Sequence, residues 1–250
     1  MTDHSSNKQL ILDYFDALEN STAEDVSDTI DRFVAGDYHW YGVYPFEEQE
    51  DAQGVAEAFW VPFLSAWSPV RRRQDIFIGG TSEVDSSEWV TSMGHFQGLF
   101  DNDWLGIPAT GKMAYLRYAE FHNIKDGKIV RSSFFCDIIG VMHQAGINPL
   151  STQTGASVIV PGPKTHDGIQ VADQSHMESG KTMSVLNQMI ADLDDLNHSG
   201  DDRYPPEVLE RTWHSDMNWY GPAGIGSTFT IPRYQEQHSY PFREGLKDKV

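Results

Sequence analysis

The tripeptide Trp-Tyr-Gly occurs twice, at Trp40 to Gly42 and at Trp219 to Gly221, with the two tryptophans 179 residues apart. At that same offset, without a gap, Gln9 matches Gln188, Asp13 matches Asp192, Asp16 matches Asp195, Asp37 matches Asp216, Glu57 matches Glu236, and Pro62-Phe63 matches Pro241-Phe242. Apolar positions agree as well, Leu10 with Met189 and Ile30 with Leu209. A chain with such a period is expected to build one supersecondary frame twice. The offset also sets a limit, because Val250 falls opposite Arg71 and the second copy has no counterpart for the residues beyond Arg71. Helices and one aromatic strand cannot bury their apolar faces without a sheet. The expectation is therefore that the 250 residues are a shortened version of a longer chain, or that the second copy packs on the first copy's sheet.

Within the first copy, Leu10, Ile11, Tyr14, Phe15 and Leu18 recur at helical spacing, and Val26, Ile30, Phe33 and Val34 form a second apolar face. Ser21 or Thr22 can cap that second helix and Gly36 is placed to end it, so "YHWYGV" reads as a short strand. "GVAEAFWVPFLSAW" reads as a buried helix interrupted or entered near Pro62. Strand-like runs come next at Gln74 to Gly79, Glu88 to Phe100, Lys112 to Ile124 and Ile129 to Cys136. The last two are joined by "KDGK", whose Asp-Gly pair predicts an antiparallel hairpin. "IIGVMHQAG" closes the copy as a short helix, giving an α+β layout of helices and then an antiparallel sheet. We divide the chain into a domain over 1–147, a Pro-, Gly- and Ser-rich linker over 148–182, in which "SVIV" is a candidate edge strand, and the second copy over 183–250.

Charge narrows the partners. With 18 Lys and Arg against 37 Asp and Glu, a net charge of -19 repels nucleic acid phosphates and anionic lipid surfaces, so neither is an expected partner. The one basic run, Arg71-Arg72-Arg73, reads as a solvated loop or strand edge. A single cysteine, Cys136, excludes an intrachain disulfide, and the scattered histidines show no metal-ligand spacing, so no metal is expected. No signal-peptide pattern and no apolar window of about eighteen residues is present, and the expected location is cytoplasmic.

Three stretches, "HFQGLFDNDWLGIPATGK", "YAEFHNIKDGKIV" and "DIIGVMHQAGI", resemble the SnoaL-like polyketide cyclases of the NTF2-like superfamily. The resemblance covers about 10–147 and, more faintly, 183–250. It implies an NTF2-like or cystatin-like fold, a cone of helices on a curved antiparallel sheet, here duplicated with an incomplete second copy. It further implies aldol-type ring closure or a related isomerisation or hydrolysis without metal or organic cofactor. The partner would be an apolar small-molecule substrate or ligand, and the assembly a homodimer or tandem pseudo-dimer. The alternative is a non-catalytic small-molecule binding module on the same fold.

The chemistry asks for a base, a donor at the developing enolate oxygen and an apolar cavity. Strand alternation puts Leu116, Tyr118, Glu120 and His122 on one face, making Glu120 and His122 a candidate acid/base pair, or else part of a solvated strand face. After the hairpin the family usually reads Glu-x-Trp-Asp-x-x-Asp, with a catalytic acid inside. Here the segment runs from Arg131 to Asp137 with Phe134 at the earlier acid position, so Asp137 is the remaining candidate and also a natural N-cap. His95, beside Met93 and Gln97, is a candidate pocket-wall residue or a satisfied core histidine. Trp40, His39, Tyr118, Phe134 and Trp104 are the remaining candidate cavity residues, with Trp104 either closing the cavity mouth or anchoring its own loop.

Overall fold

The computed structural model describes residues 4–156 and 162–246, so "SVIV" lies outside the described residues. The chain forms two compact units, one of Met1–Pro149 with Pro161–Asp173 and one of Leu150–Val160 with Gln174–Val250.

In the first unit, α1 (Ser5–Glu19) buries Ile11, Tyr14, Phe15 and Leu18, the stripe given by the helical spacing. After α2 (Val26–Asp31) the chain enters β1 (Val34–Gly42) directly. Gly36 therefore sits inside a strand, at an irregularity of register between Val34 and His39, and does not end the helix. β2 (Glu48–Gln49) is followed by α3 (Ala52–Val55), a π-turn (Ala56–Trp60) and α4 (Val61–Ala66). Pro62, in the first turn of α4, lacks an N–H and presses on the turn before it, and the widened π-turn absorbs both effects.

β3 (Trp67–Thr81), β4 (Glu88–Phe100), β5 (Lys112–Lys125), β6 (Lys128–Cys136) and α5 (Ile138–Gln144) complete the unit. The six-stranded sheet has the order β2-β1-β6-β5-β4-β3, antiparallel throughout except for the β1 and β6 pair, which is parallel. Asp126 and Gly127 both take positive φ, 51° and 72°, as the two-residue turn of "KDGK" requires. Along the free edge of β3, which starts at Trp67 rather than Gln74, part of the predicted linker is held. The Phe77 N–H donates to Gly168 O, the Gln170 N–H donates to Phe77 O, each at 2.7 Å, and Lys8 Nζ donates to Ala172 O at 3.0 Å. An edge strand offers unpaired backbone groups, and this segment satisfies those of Phe77.

The inner face of the sheet and the helices enclose an aromatic core of Trp40, Phe46, Phe59, Trp60, Phe63, Trp67, Phe96, Phe100, Trp104 and Phe134, all at most 5% exposed. Each such side chain contributes about 1.5–3 kcal/mol by burial.

The second unit contains α6 (His176–His198), α7 (Glu207–Glu210), the two-stranded ribbon of β7 (Asn218–Trp219) and β8 (Thr228–Phe229), α8 (Ile231–Tyr234), a second π-turn (Gln235–Ser239) and α9 (Tyr240–Gly245). Shifted by the spacing of the two tryptophans, α8, its π-turn and α9 coincide with α3, the first π-turn and α4 residue for residue. α1 and α6 end at matching positions. The repeated tripeptide has a local cause: a Cβ on Gly42 would run into the ring of Trp40, and one on Gly221 into the ring of Trp219. Each tryptophan folds back over the glycine two residues on.

Candidate functional site

The register of the sheet decides which side chains share the interior. Glu120 pairs with Ser92 on β4 and with Phe134 on β6, while His122 pairs with Val90 and Ser132, so all six point to the inner face. On β3 the inward residues include Val70, Arg72 and Gln74, since Arg72 pairs with Phe96. Arg72 is thus turned inside, between outward Arg71 and Arg73, and its side chain is 5% exposed. The reading of the three arginines as a solvated run fails at this central residue. Alternation on a strand that begins earlier than expected, at Trp67, carries it into the core.

A buried polar centre results. Arg72 Nη1 donates to Glu120 Oε1 at 2.7 Å, and the guanidinium lies over the rings of Phe15, Phe96 and Tyr118 at 3.7, 4.6 and 4.6 Å. Glu120 Oε2 meets His122 Nε2 at 3.0 Å, and His122 Nδ1 meets Ser132 Oγ at 2.8 Å. Tyr14 and Phe15 stand edge-on to the His122 ring at 5.8 and 5.7 Å. Next to Arg72, the Tyr118 hydroxyl shares a 3.0 Å hydrogen bond with Ser92 Oγ.

Electrostatics is set by this packing. Burial pushes the Glu120 carboxyl up, but Arg72 and then His122 outweigh it and hold the group below its ordinary value. Burial would lower Arg72, yet Glu120 keeps its pKa above the usual one. Tyr14 is raised well above its ordinary value by burial and by Tyr38 and Glu120. Tyr38 is raised chiefly by burial, against the lowering effect of its hydrogen bond to Ser132. Burial raises Tyr118 as well, so the centre holds an ionised carboxylate, a charged guanidinium and three neutral phenols around one imidazole.

The other candidates lie elsewhere. His95 pairs with Arg117 in the ladder, which puts it on the outer face, 5% exposed, with Nδ1 3.2 Å from Asp75 Oδ2. It is not on the pocket wall, because a one-residue offset from Phe96 reverses the face. Asp137 caps α5, its Oδ1 accepting from the Gly140 N–H at 2.9 Å, and its Oδ2 is 3.8 Å from Arg117 Nη2. The structure does not bring it to Glu120 and His122. His39 pairs with Glu48 at 3.1 Å and stacks on Tyr41, away from the interior face of Trp40. Trp104, 1% exposed, packs on Phe46, Phe59 and Phe63, so it anchors its loop from inside and closes no mouth. Trp40 and Phe134 stack at 5.8 Å, and Phe59 lies 4.6 Å from Phe134, so these proposed cavity walls fill the space between them.

An opening is found instead between α1, the first π-turn, α4 and the start of the sheet. Its apolar lining includes Phe15, Trp60, Leu64, Val70 and Phe96, and its charged groups are Glu19 and Arg72. The crevice has a cavity volume of about 10 Å³, room for about one water molecule. Arg72, Ser132, Tyr14 and Tyr38 were missed as site residues. The available signal was the alternation of Val70, Arg72 and Gln74, which needs the true strand start.

Among the described residues no group of three His, Cys, Asp or Glu side chains is placed to hold a metal ion, and no helix is long and apolar enough to cross a membrane. No protein of curated function matches the sequence. Among solved structures, the chain is similar to a protein assigned as a SnoaL-like polyketide cyclase from Jannaschia sp. CCS1, at 18% identity over 59% of this chain and 95% of that one, with a TM-score of 0.44. It is also similar to an NTF2-like protein from Burkholderia thailandensis E264, at 18% identity, 58% and 98% coverage and a TM-score of 0.41. TsrD from Streptomyces laurentii aligns at 20% identity, 58% and 98% coverage and a TM-score of 0.45. The sequence profile of the SnoaL-like polyketide cyclases matches residues 11–145, more than half of the chain and nearly all of the first unit's helix and sheet framework, and the chain belongs to that family.

Proposed function

We propose that the first unit performs cofactor-free acid/base chemistry, aldol-type ring closure or isomerisation, on an apolar, oxygenated small molecule. The observation that carries this reading is the Glu120 and His122 contact at 3.0 Å on the inner face, with Ser132 on the other ring nitrogen. His122 is the proton-transfer group. The Ser132 hydroxyl takes the proton that the carbon acid gives up while passing its own to His122 Nδ1, and the ionised Glu120, accepting from Nε2–H, stabilises the imidazolium that forms. Phe15 both lines the crevice and packs on His122, so this ring stands between the opening and the imidazole. The test is exchange of the methyl protons of acetophenone for deuterium in D2O, monitored by NMR. Glu120→Gln and His122→Asn should each lower the rate about 10²-fold or more, and His95→Gln should leave it unchanged. Full exchange in both site variants would remove the mechanism.

A binding-only reading draws support from the interior packing, where Phe134 stands at the possible family acid position and is stacked on Trp40. Saturable binding of acetophenone with no exchange over long incubation would favour it. The second unit is, on the same proposal, the helical half of a second such domain. The coincidence of α8, its π-turn and α9 with their counterparts supports this. A homodimer or tandem pseudo-dimer completes the proposal, and sedimentation equilibrium distinguishes the two.

A further inference from the structure

Arg72 is a cation inside the first unit's core that also lines an opening to solvent. Its Nη1 is taken by Glu120, the Tyr118 hydroxyl also bonds the guanidinium, and the buried Nη2 makes no hydrogen bond of its own. An unmet buried donor costs about 1–3 kcal/mol, more when charged, so the site is built to receive an acceptor. We infer that the crevice is the entry to a subsite in which Arg72 Nη2 binds an uncharged oxygen acceptor, a ketone or ester carbonyl on a flat apolar body, and that the subsite excludes carboxylates.

Charge decides between the two kinds of acceptor. Arg72 is balanced by Glu120 at 2.7 Å. Glu19, the other charged group of the lining, is faced by Arg71 at 3.5 Å and accepts the Arg72 backbone N–H at 2.9 Å. The lining leaves no positive charge over for an anion, and the whole chain carries -19. A carboxylate would enter a desolvated site beside Glu120 and Glu19 uncompensated. A carbonyl needs only the free donor. The body of the ligand is set by Phe15, Trp60 and Phe96, whose rings favour a planar apolar group. At rest the cavity is about 10 Å³, room for about one water and not for an aromatic body, so the ligand enters only as the lining rings part.

This inference rests on the inner-face site of the proposed function, and its test separates the two. The full chain is titrated with acetophenone carrying a 13C carbonyl, with benzoate, and with ethylbenzene, which has the same body without oxygen. Acetophenone is expected to bind about tenfold or more tightly than either, the worth of one hydrogen bond to a charged donor, with its carbonyl resonance moved downfield. Arg72→Lys should abolish the downfield shift. Leu64→Trp, which fills the crevice and leaves the Arg72 and Glu120 contact alone, should abolish binding and covers the case in which Arg72→Lys fails to fold. Binding of benzoate or ethylbenzene as tight as acetophenone, a carbonyl shift unchanged in folded Arg72→Lys, or no saturation by acetophenone would each overturn the inference. A shifted carbonyl without deuterium exchange keeps this subsite and removes the acid/base mechanism. Exchange without the shift does the opposite.

Discussion

The two units share a frame of helix, ribbon and π-turn and differ in what lies over its apolar side. Ile11 and Phe63 are fully buried in the first unit, while their counterparts Ile190 and Phe242 are 56% and 45% exposed. Trp67, also fully buried, corresponds to Leu246 at 50%. In the first unit α1 and α4 pack on the β3 and β4 side of the sheet, where Phe63 meets Phe96 and Trp67 stacks on Phe100. The second replaces that support with hydrogen bonds: Arg243 Nη2 donates to Leu196 O at 2.7 Å, Gln235 Nε2 donates to Tyr204 O at 2.8 Å, and the Tyr204 and Ser239 hydroxyls meet at 2.7 Å. At the positions matching Gln235, Ser239 and Arg243 the first unit has Ala56, Trp60 and Leu64. The same backbone path is thus held by apolar burial in one place and by a polar clasp in the other.

Four measurements test this contrast, each read as hydrogen-exchange protection of peptides from the two units in the full chain. Arg72→Met strands the Glu120 carboxylate inside the core, and the first unit should lose about 3–5 kcal/mol. Adding Glu120→Gln to that variant should recover much of the loss. A small effect of Arg72→Met alone would mean that the carboxylate finds water. Ile11→Ala should cost the first unit about 2–5 kcal/mol, whereas Ile190→Ala should change the second by no more than about 0.5 kcal/mol. Equal costs would show that Ile190 is covered in solution.

Arg243→Ala removes the donors from the end of α6 and should cost the second unit about 1–3 kcal/mol, with Leu64→Ala leaving the second unit's protection unchanged. Acid gives the smallest effect, at most about 1.4 kcal/mol for each pH unit. Glu120 is held below its ordinary value in the folded protein. The unfolded chain therefore binds the proton more readily, and the stability that Glu120 supplies is complete above about pH 4.3 and lost as the pH falls through the folded value. Only the first unit should show this slope, and Glu120→Gln should flatten it.

Sequence reading went furthest where local chemistry and periodicity agree. "KDGK" placed the hairpin, alternation put Glu120 and His122 on one face, and Asp137 proved to cap α5 as its position suggested. It fell short where pairing between strands decides. His95 and Phe96 are neighbours, and only the register with Arg117 and Leu116 assigns one outward and the other inward. Arg72 was hidden by its neighbours, since three arginines in a row carry the signature of a surface, and only the middle one turns in. The aromatic residues were recognised as interior, but composition does not say whether rings line a cavity or fill it. Here Trp40, Phe59 and Phe134 fill it.

The tryptophan folded over its glycine offers a spectroscopic label. A Gly42 α-proton lies against the face or edge of the Trp40 ring, and a Gly221 α-proton is in the same position beneath Trp219. Ring currents displace such protons from the usual glycine region of an NMR spectrum. Each unit thus carries its own internal reporter, one resonance per Trp-Tyr-Gly, by which ligand addition, heating or acid can be tracked in the two halves separately without any introduced probe.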